Sequence, residues 1–519
     1  MKREILINAA PRETRVAILE DGELVELLVD RPEARRMVGD VYLGKVEAVL
    51  PGIQAAFVDI GTEKSAFLHA SDLVVPEADA DDDDDDDEEE ESDETEAPTQ
   101  RGRSKGPPIQ DVLKRGQELL VQISKEPIST KGPRVTAQIS LAGRFIVFMP
   151  HGSKVGVSRK IGERAERLRL RQLVREVKGD SSGGVIVRTV GEDVTQETFA
   201  RELATLRNQW KRITRKVQFM RAPAMIHRET SLTRGIIRDV FSTKVDALTV
   251  DSKAVHQEIV EYLKGIAPEL MDRVKLYEEA VPLFDTADVE AEIRDIFKRR
   301  CDLPSGGYLI IEPTEALVSI DVNSGRYTGK KDPEKTVLRT NMEAAREIAR
   351  QLRLRDVGGI IVCDFIDMEI KGNREKVLQE LRTYLSRDRA RTKAFAVSDL
   401  GLIEMTRQRV RQSHLQSMTT PCPTCRGTGR IFTPETIIRR VERSVRRMGL
   451  EGKRDALVVR LHPDVAYYVL EQEPEFTRKL GKTLPFSFEL RDDPLLMPDD
   501  FRLVVKSAGR DVTQQYAVA

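Results

Sequence analysis

Between residues 316 and 367 the chain reads ALVSIDVNSGRYTGKK, then NMEAAREIARQLRLRDVGGIIVCDFIDM, and no other stretch restricts the possible fold as much. Val318, Ile320 and Val322 alternate with Ser319, Asp321 and Asn323, the period of a strand with one buried face, so Asp321 points away from the apolar layer. Residues 341–355 carry apolar side chains at helical spacing, with Ala345, Ile348 and Leu352 on the buried stripe and Arg346, Arg350 and Arg353 outside. Gly358 and Gly359 stop that helix. Residues 360–363 are apolar on both faces, as a central parallel strand would be, and they end on Asp364. Strand, helix, strand predicts a parallel pair that brings Asp321 and Asp364 to the carboxyl end of a sheet, where α/β folds hold their ligands. Two carboxylates beside Asn323, among many lysines and arginines, suit a Mg²⁺ ion that keeps part of its water shell and takes further oxygens from phosphate. The competing reading is that both acids only cap strands before turns.

A chain of 519 residues with 40% hydrophobic side chains is long enough for several domains, each burying its own core. No stretch approaches the roughly 20 apolar residues of a membrane span, and the N-terminus resembles a strand hairpin more than a signal peptide. A cytoplasmic location is expected. Four cysteines, two of them in one CxxC, argue against a disulfide framework. The net charge of −2 conceals an asymmetry, because residues 77–96 hold 16 acidic side chains and no basic ones. Without them the rest of the chain stands at +14, which calls for an anionic partner, nucleic acid first.

Residues 1–35 alternate in the manner of antiparallel strands (Ile5 and Ile7, Val16 and Ile18, Leu24 and Leu27) but are too few to stand alone. From Gly39 to about residue 73, short strands between glycine turns suit a small barrel, which GQELLVQISKEP completes after an acidic insertion that can form no core. Phe57 and Phe67 lie on the barrel strands, where an aromatic is either core or a stacking platform for a base. An Arg188–Thr189 pair closes a strand in GGVIVRTVGED; it is either solvated or a phosphate fork with an added hydroxyl. The cations Arg382, Arg387, Arg389, Arg391 and Lys393 fit a solvated helix face as well as a backbone-binding one. In CPTCRGTG, Cys422 and Cys425 offer two of the four ligands of a structural Zn²⁺, and the same pair from a second chain is the simplest completion. A redox CxxC is the alternative, disfavoured because the motif sits in a glycine-rich turn and not at a helix start.

IDVNSGR, TNMEAAREIARQLRLRDVGGIIVCDFIDM, RDRAR, GLIEMTRQR and CPTCRGTG together resemble the ribonuclease E/G family of bacterial endoribonucleases, over nearly the whole chain up to about residue 432, with the G type or a truncated E type as the two readings within it. The resemblance implies an α/β multidomain fold. It comprises a ribonuclease-H-like subdomain (residues 1–35 and 234–296), an S1-type OB-fold barrel (36–137, with the acidic insertion at 76–108 disordered), and a 5′-sensor region (138–233). A DNase-I-like catalytic domain (297–418), a zinc link (419–432) and a small α/β domain (433–519) follow. It also implies that Asp321 and Asp364 hold the catalytic Mg²⁺ with Asn323 assisting, and that Phe57 and Phe67 stack bases while Lys131 contacts phosphate. Gly143 and Val147 would contribute backbone contacts to a pocket in which Arg188 and Thr189 bind a 5′ monophosphate, with Arg159 in the same region. Cys422 and Cys425 would share Zn²⁺ across a homodimer, itself able to pair into a tetramer. The implied function is Mg²⁺-dependent cleavage of single-stranded RNA in rRNA maturation and mRNA turnover, with 5′-monophosphorylated substrates favoured and 5′-phosphate products. A non-catalytic RNA-binding scaffold is the rival.

Overall fold

The computed structural model describes residues 2–31, 37–73, 108–127, 132–158, 161, 163–192, 194–229, 232–325, 333–398, 400–451 and 455–517. The acidic run, Lys131 and Arg159 lie outside them. The chain forms two compact units, Met1–His414 and Leu415–Ala519.

In the first unit the strands Arg3–Ala10, Glu13–Glu20 and Glu23–Asp30 form a meander, and Ala247–Val250 joins it in parallel with Leu248 opposite Ile5. Some 240 residues thus separate neighbouring strands of one sheet. The sequence suggested one apolar face here. Both faces are in fact buried: Ile5, Ile7, Val16 and Ile18 pack against Phe241, Ile259 and Leu263, while Leu6, Ala17, Leu19 and Leu24 meet Leu283, Phe284 and Ile293.

Next comes a closed five-stranded barrel, consistent with an S1-like barrel. Val41–Leu50 pairs with Ala55–Asp59 and with Glu118–Lys125, and the ring runs through Ala66–His69 and Arg134–Thr136. Closure joins the five strands into a ring, and Ala224–His227 adds to Val41–Leu50 as a sixth strand outside it. Residues 141–187 add a four-stranded sheet covered by two helices, Arg164–Lys178 and Gln196–Val217.

The site-bearing sheet has six strands in the order Arg300–Asp302, Tyr308–Pro313, Leu317–Asn323, Gly359–Asp364, Leu402–Arg407, Thr392–Val397. Leu317–Asn323 and Gly359–Asp364 are parallel, as the strand–helix–strand reading requires. Every other pairing is antiparallel. The sheet is therefore mixed, and Gly359–Asp364 is not buried on both faces, since Ile360 is 52% exposed. The connecting helix runs over Pro333–Leu354, a longer span than 341–355. Its Ala345, Ile348 and Leu352 are buried as read. Two of its arginines are not solvent-facing, however. Arg350 donates to the Leu24 carbonyl (2.9 Å) and to Glu292 (2.8 Å), and Arg353 pairs with Glu20 (3.1 Å), so both dock the helix onto the N-terminal strands and the helices beside them.

Beneath this joint lies a buried charge cluster. Arg407, Asp388 and Asp356 are nearly inaccessible; Arg407 bonds Asp388 at 2.7 Å, Asp356 at 3.2 Å and the Val357 carbonyl at 2.7 Å. Arg389 and Arg411 share Glu26. Members of the cation run thus have structural partners: Arg389 has Glu26, Arg382 donates to the Ala394 carbonyl at 2.8 Å, and Arg387 lies over the Tyr384 ring. Burial pushes the Glu26 carboxyl up, but Arg389, Arg411 and Arg353 more than reverse that and hold it below the ordinary range.

In the second unit a four-stranded sheet (Phe488–Asp492, Leu457–Leu461, Phe501–Val505, Arg510–Asp511) packs with the helices Pro434–Leu450 and Pro463–Gln472, close to the elements read from sequence.

Candidate active site and nucleic-acid interface

On Leu317–Asn323, Val318, Ile320 and Val322 are all under 10% exposed, and the strand's other face carries Asp321 into solvent. Asp364 ends the neighbouring strand, directly across the ladder from Asp321 and equally exposed. Two anions are thereby held side by side. Asn323, two residues beyond Asp321 on the same face, donates its amide to Asp321 Oδ2 at 2.8 Å, which orients that carboxylate. Just past it, Gly325 sits at φ +61° against the Gly306 carbonyl, where a Cβ would come within 2.2 Å, so only glycine lets the chain turn there.

The electrostatics single out Asp364. Partial burial, then the charge of Asp321, then that of Asp367 push its carboxyl above the usual range. Asp367 was missed in the sequence; it lies in DFIDM, three residues after Asp364, and its exposed side chain was hidden among the apolar residues of that segment. No group of three or more His, Cys, Asp or Glu side chains among the described residues is arranged to hold a metal. A Mg²⁺ ion needs only one or two carboxylates. Crowded, exposed like charges are what a divalent cation would relieve, so the donor set fits.

On the barrel, Phe57 and Phe67 are cross-strand partners, with ring centroids 6.1 Å apart at 70°. Phe57 is 37% exposed, which makes the pair an outward platform and not core.

Arg188 and Thr189 follow the strand Gly184–Val187, as read. They line a cavity of about 490 Å³ together with Asp239, Arg238, Glu26 and Arg389. Arg188 Nη1 is already engaged, by the Gly143 carbonyl (2.8 Å) and by Asp239 (2.7 Å), while Thr189 is exposed. Gly143 therefore meets Arg188 through its backbone. Val147 lies in the neighbouring strand, opposite Ile186. The residues after Gly143 point three backbone N–H groups, of Arg144, Phe145 and Ile146, at the Glu202 carboxylate (2.5, 3.0 and 3.1 Å). Burial nonetheless pushes Glu202 above the ordinary carboxylate range. Nothing in the sequence signalled Asp239 or Glu202, since each acts across 50 or more residues.

In the second unit, Cys422 and Cys425 sit in a tight turn that Arg426 (φ +52°), Gly427 (+91°) and Gly429 (+70°) permit. The backbone N–H groups of Cys425 and Thr424 hold the Cys422 thiol below its usual value. N–H groups aimed at sulfur are the environment of a thiolate ligand. Cys301 and Cys363 differ: burial, with Glu347 beside Cys301, pushes both thiols up to about 12.

No helix among the described residues is long and apolar enough to cross a membrane.

The model of the Ribonuclease E/G family matches residues 140–410, and that of the RNase E/G, Thioredoxin-like domain matches residues 421–506. Ribonuclease G of Salmonella typhimurium is 37% identical over 505 residues, covering 97% of this chain and 100% of that protein. Ribonuclease G of Haemophilus influenzae is 39% identical over 493 residues, 94% of this chain and 96% of its own. Ribonuclease E of Synechocystis sp. is 38% identical over 436 residues, 83% of this chain and 60% of that protein. With the family model spanning more than half of its residues and relatives alike over almost its full length, this chain belongs to the ribonuclease E/G family and is an endoribonuclease.

Proposed function

We propose that Asp321 and Asp364 form the catalytic centre of a Mg²⁺-dependent endoribonuclease that cuts single-stranded RNA in rRNA maturation and mRNA turnover, leaving 5′-phosphate and 3′-hydroxyl ends. The observation that carries this is the register: two exposed carboxylates meet across a parallel ladder, with Asn323 fixing one of them. A scaffold that only bound RNA would gain nothing from placing two anions against its polyanionic ligand. When bound there, a divalent cation would lower the pKa of a coordinated water and neutralise charge developing on the phosphate. The chain's own contribution is positional. Asn323 fixes one Asp321 oxygen, and Phe57 and Phe67 offer a stacking surface for bases.

The domain identities implied by the resemblance belong to the same reading, as does a preference for RNA with a 5′ monophosphate at Arg188 and Thr189. Arg188 Nη1 is held by Asp239 and Gly143, and Arg188 and Thr189 line the same cavity, where a phosphate could meet both. Arg188→Ala should slow cleavage of 5′-monophosphorylated RNA about ten- to a hundred-fold more than that of 5′-hydroxylated RNA, the 1.5–3 kcal/mol of a charge-assisted hydrogen bond. Asp239 keeps Arg238 as its partner at 2.8 Å, so the fold should survive the change. Equal losses on both substrates would assign Arg188 to general backbone binding.

Cys422 and Cys425 supply half of a Zn²⁺ tetrahedron, and the reading completes it with the same pair of a second copy. Cys422→Ser with Cys425→Ser should release Zn²⁺ and leave monomers, from a parent holding one metal per two chains. One Zn²⁺ per chain by elemental analysis would mean that the site closes within a protomer.

A further inference from the structure

The helix Gln196–Val217 buries Phe199, Leu203, Leu206 and Ile213 on one stripe and presents Lys211, Arg212 and Arg215 to solvent on the opposite face. It ends in a turn in which the Phe219 N–H donates to the Lys216 carbonyl at 3.1 Å. That turn lifts Phe219 clear of the body, 81% exposed, with Met220 beside it at 39%. A lone exposed apolar residue needs no explanation. This one is ringed by cations: Lys211, Arg212, Arg215 and Arg221 are all exposed, and none of them forms an ion pair among the described residues. An open aromatic amid uncompensated positive charge is the composition of a single-strand binding surface, in which the ring stacks on a base and the cations meet phosphates.

The patch also adjoins the barrel. Ala224–His227 pairs with the barrel strand Val41–Leu50, and a methyl group on Gly61 would touch Pro223 at 3.7 Å. Gly61 follows the strand Ala55–Asp59 that carries Phe57. Four residues of extended chain, about 13 Å, separate Phe57 from Gly61, and no more than that separates Pro223 from Phe219.

We propose that Phe219, with Lys211, Arg212, Arg215 and Arg221, is a second stacking site for single-stranded RNA, continuous with the Phe57–Phe67 face. The inference rests on RNA being the substrate and adds to it a further contact, reached only by strands that outrun the barrel. The full chain, kept in EDTA so that RNA stays intact, is titrated with labelled oligonucleotides of about 6 and about 20 nucleotides, one within and one beyond the roughly 4–16 nucleotides of one OB-type site. Phe219→Ala should weaken the longer strand about ten-fold and leave the shorter one unchanged. Phe219→Trp should keep the affinity and gain a fluorescence signal, beyond that of native Trp210, that the longer strand quenches. Arg215→Ala with Arg221→Ala should flatten the plot of log affinity against log salt by about 1.4, at about 0.7 per phosphate of a single strand. The proposal falls if Phe219→Ala binds both oligonucleotides as the parent does while Phe57→Ala weakens both, a result that leaves the RNA-cleaving reading intact. It falls equally if the Phe219→Trp signal responds to vesicles of anionic phosphatidylglycerol and not to RNA. Failure of the parent to bind either strand would instead remove the reading on which it stands.

Discussion

Asp321→Asn and Asp364→Asn are each expected to abolish RNA cleavage, by about a hundred- to a thousand-fold or more, while RNA affinity in EDTA stays within about two-fold of the parent. Both side chains are exposed and asparagine is nearly isosteric, so folding should be spared. The stability should even move the other way for Asp364. Its carboxyl is raised by partial burial and by the charges of Asp321 and Asp367, so the folded chain disfavours its ionised form at neutral pH. Removing that charge should leave the melting temperature of the metal-free protein unchanged or slightly higher. Loss of activity with undiminished stability separates a catalytic group from a structural one. Near-parental cleavage by either variant at ordinary Mg²⁺ concentrations would overturn the assignment.

Arg407→Met should be among the most destabilising single changes in the first unit. Arg407, Asp388 and Asp356 have side-chain exposures of 5%, 4% and 2%, so removing the cation leaves Asp388 buried without it and Asp356 with Arg411, at 2.6 Å, as its cation. Breaking a buried pair from one side costs about 3–5 kcal/mol, a fall of about 3–6 °C in melting temperature for a unit of this size. Adding Asp388→Asn should recover a good part of the loss, because the charge that Arg407 balanced then disappears, while Asp356 keeps Arg411. A fall of less than about 1 kcal/mol in the single variant would mean that water enters and screens the cluster.

Local pattern was enough to place the two candidate carboxylates, because Asp321 and Asp364 are set by short-range rules: period-2 alternation in one strand, a helix stopped by glycines, and a parallel return. The barrel strands and the CxxC turn were legible for the same reason, glycines and alternation acting within ten residues. Burial imposed from a distance was not. The N-terminal strands looked half-exposed since the helices that cover them come from residues 232–296. Arg350 and Arg353 looked solvated since their partners, Glu292 and Glu20, lie far away in sequence. Asp239, which holds Arg188, was invisible on the same ground. Asp367 is the exception, close to Asp364 in sequence yet passed over because its segment is otherwise apolar.

The measurement closest to the central claim is the metal dependence and end chemistry of the cut itself. A fluorescent single-stranded RNA incubated with the parent chain should remain intact in EDTA, be cut on addition of Mg²⁺, and yield fragments with 5′-phosphate and 3′-hydroxyl ends, because water delivered at a carboxylate-held metal leaves the phosphate on the downstream fragment. Cleavage that persists in EDTA and leaves 2′,3′-cyclic phosphates would mean attack by the ribose hydroxyl without a metal, and would contradict the role given to Asp321 and Asp364.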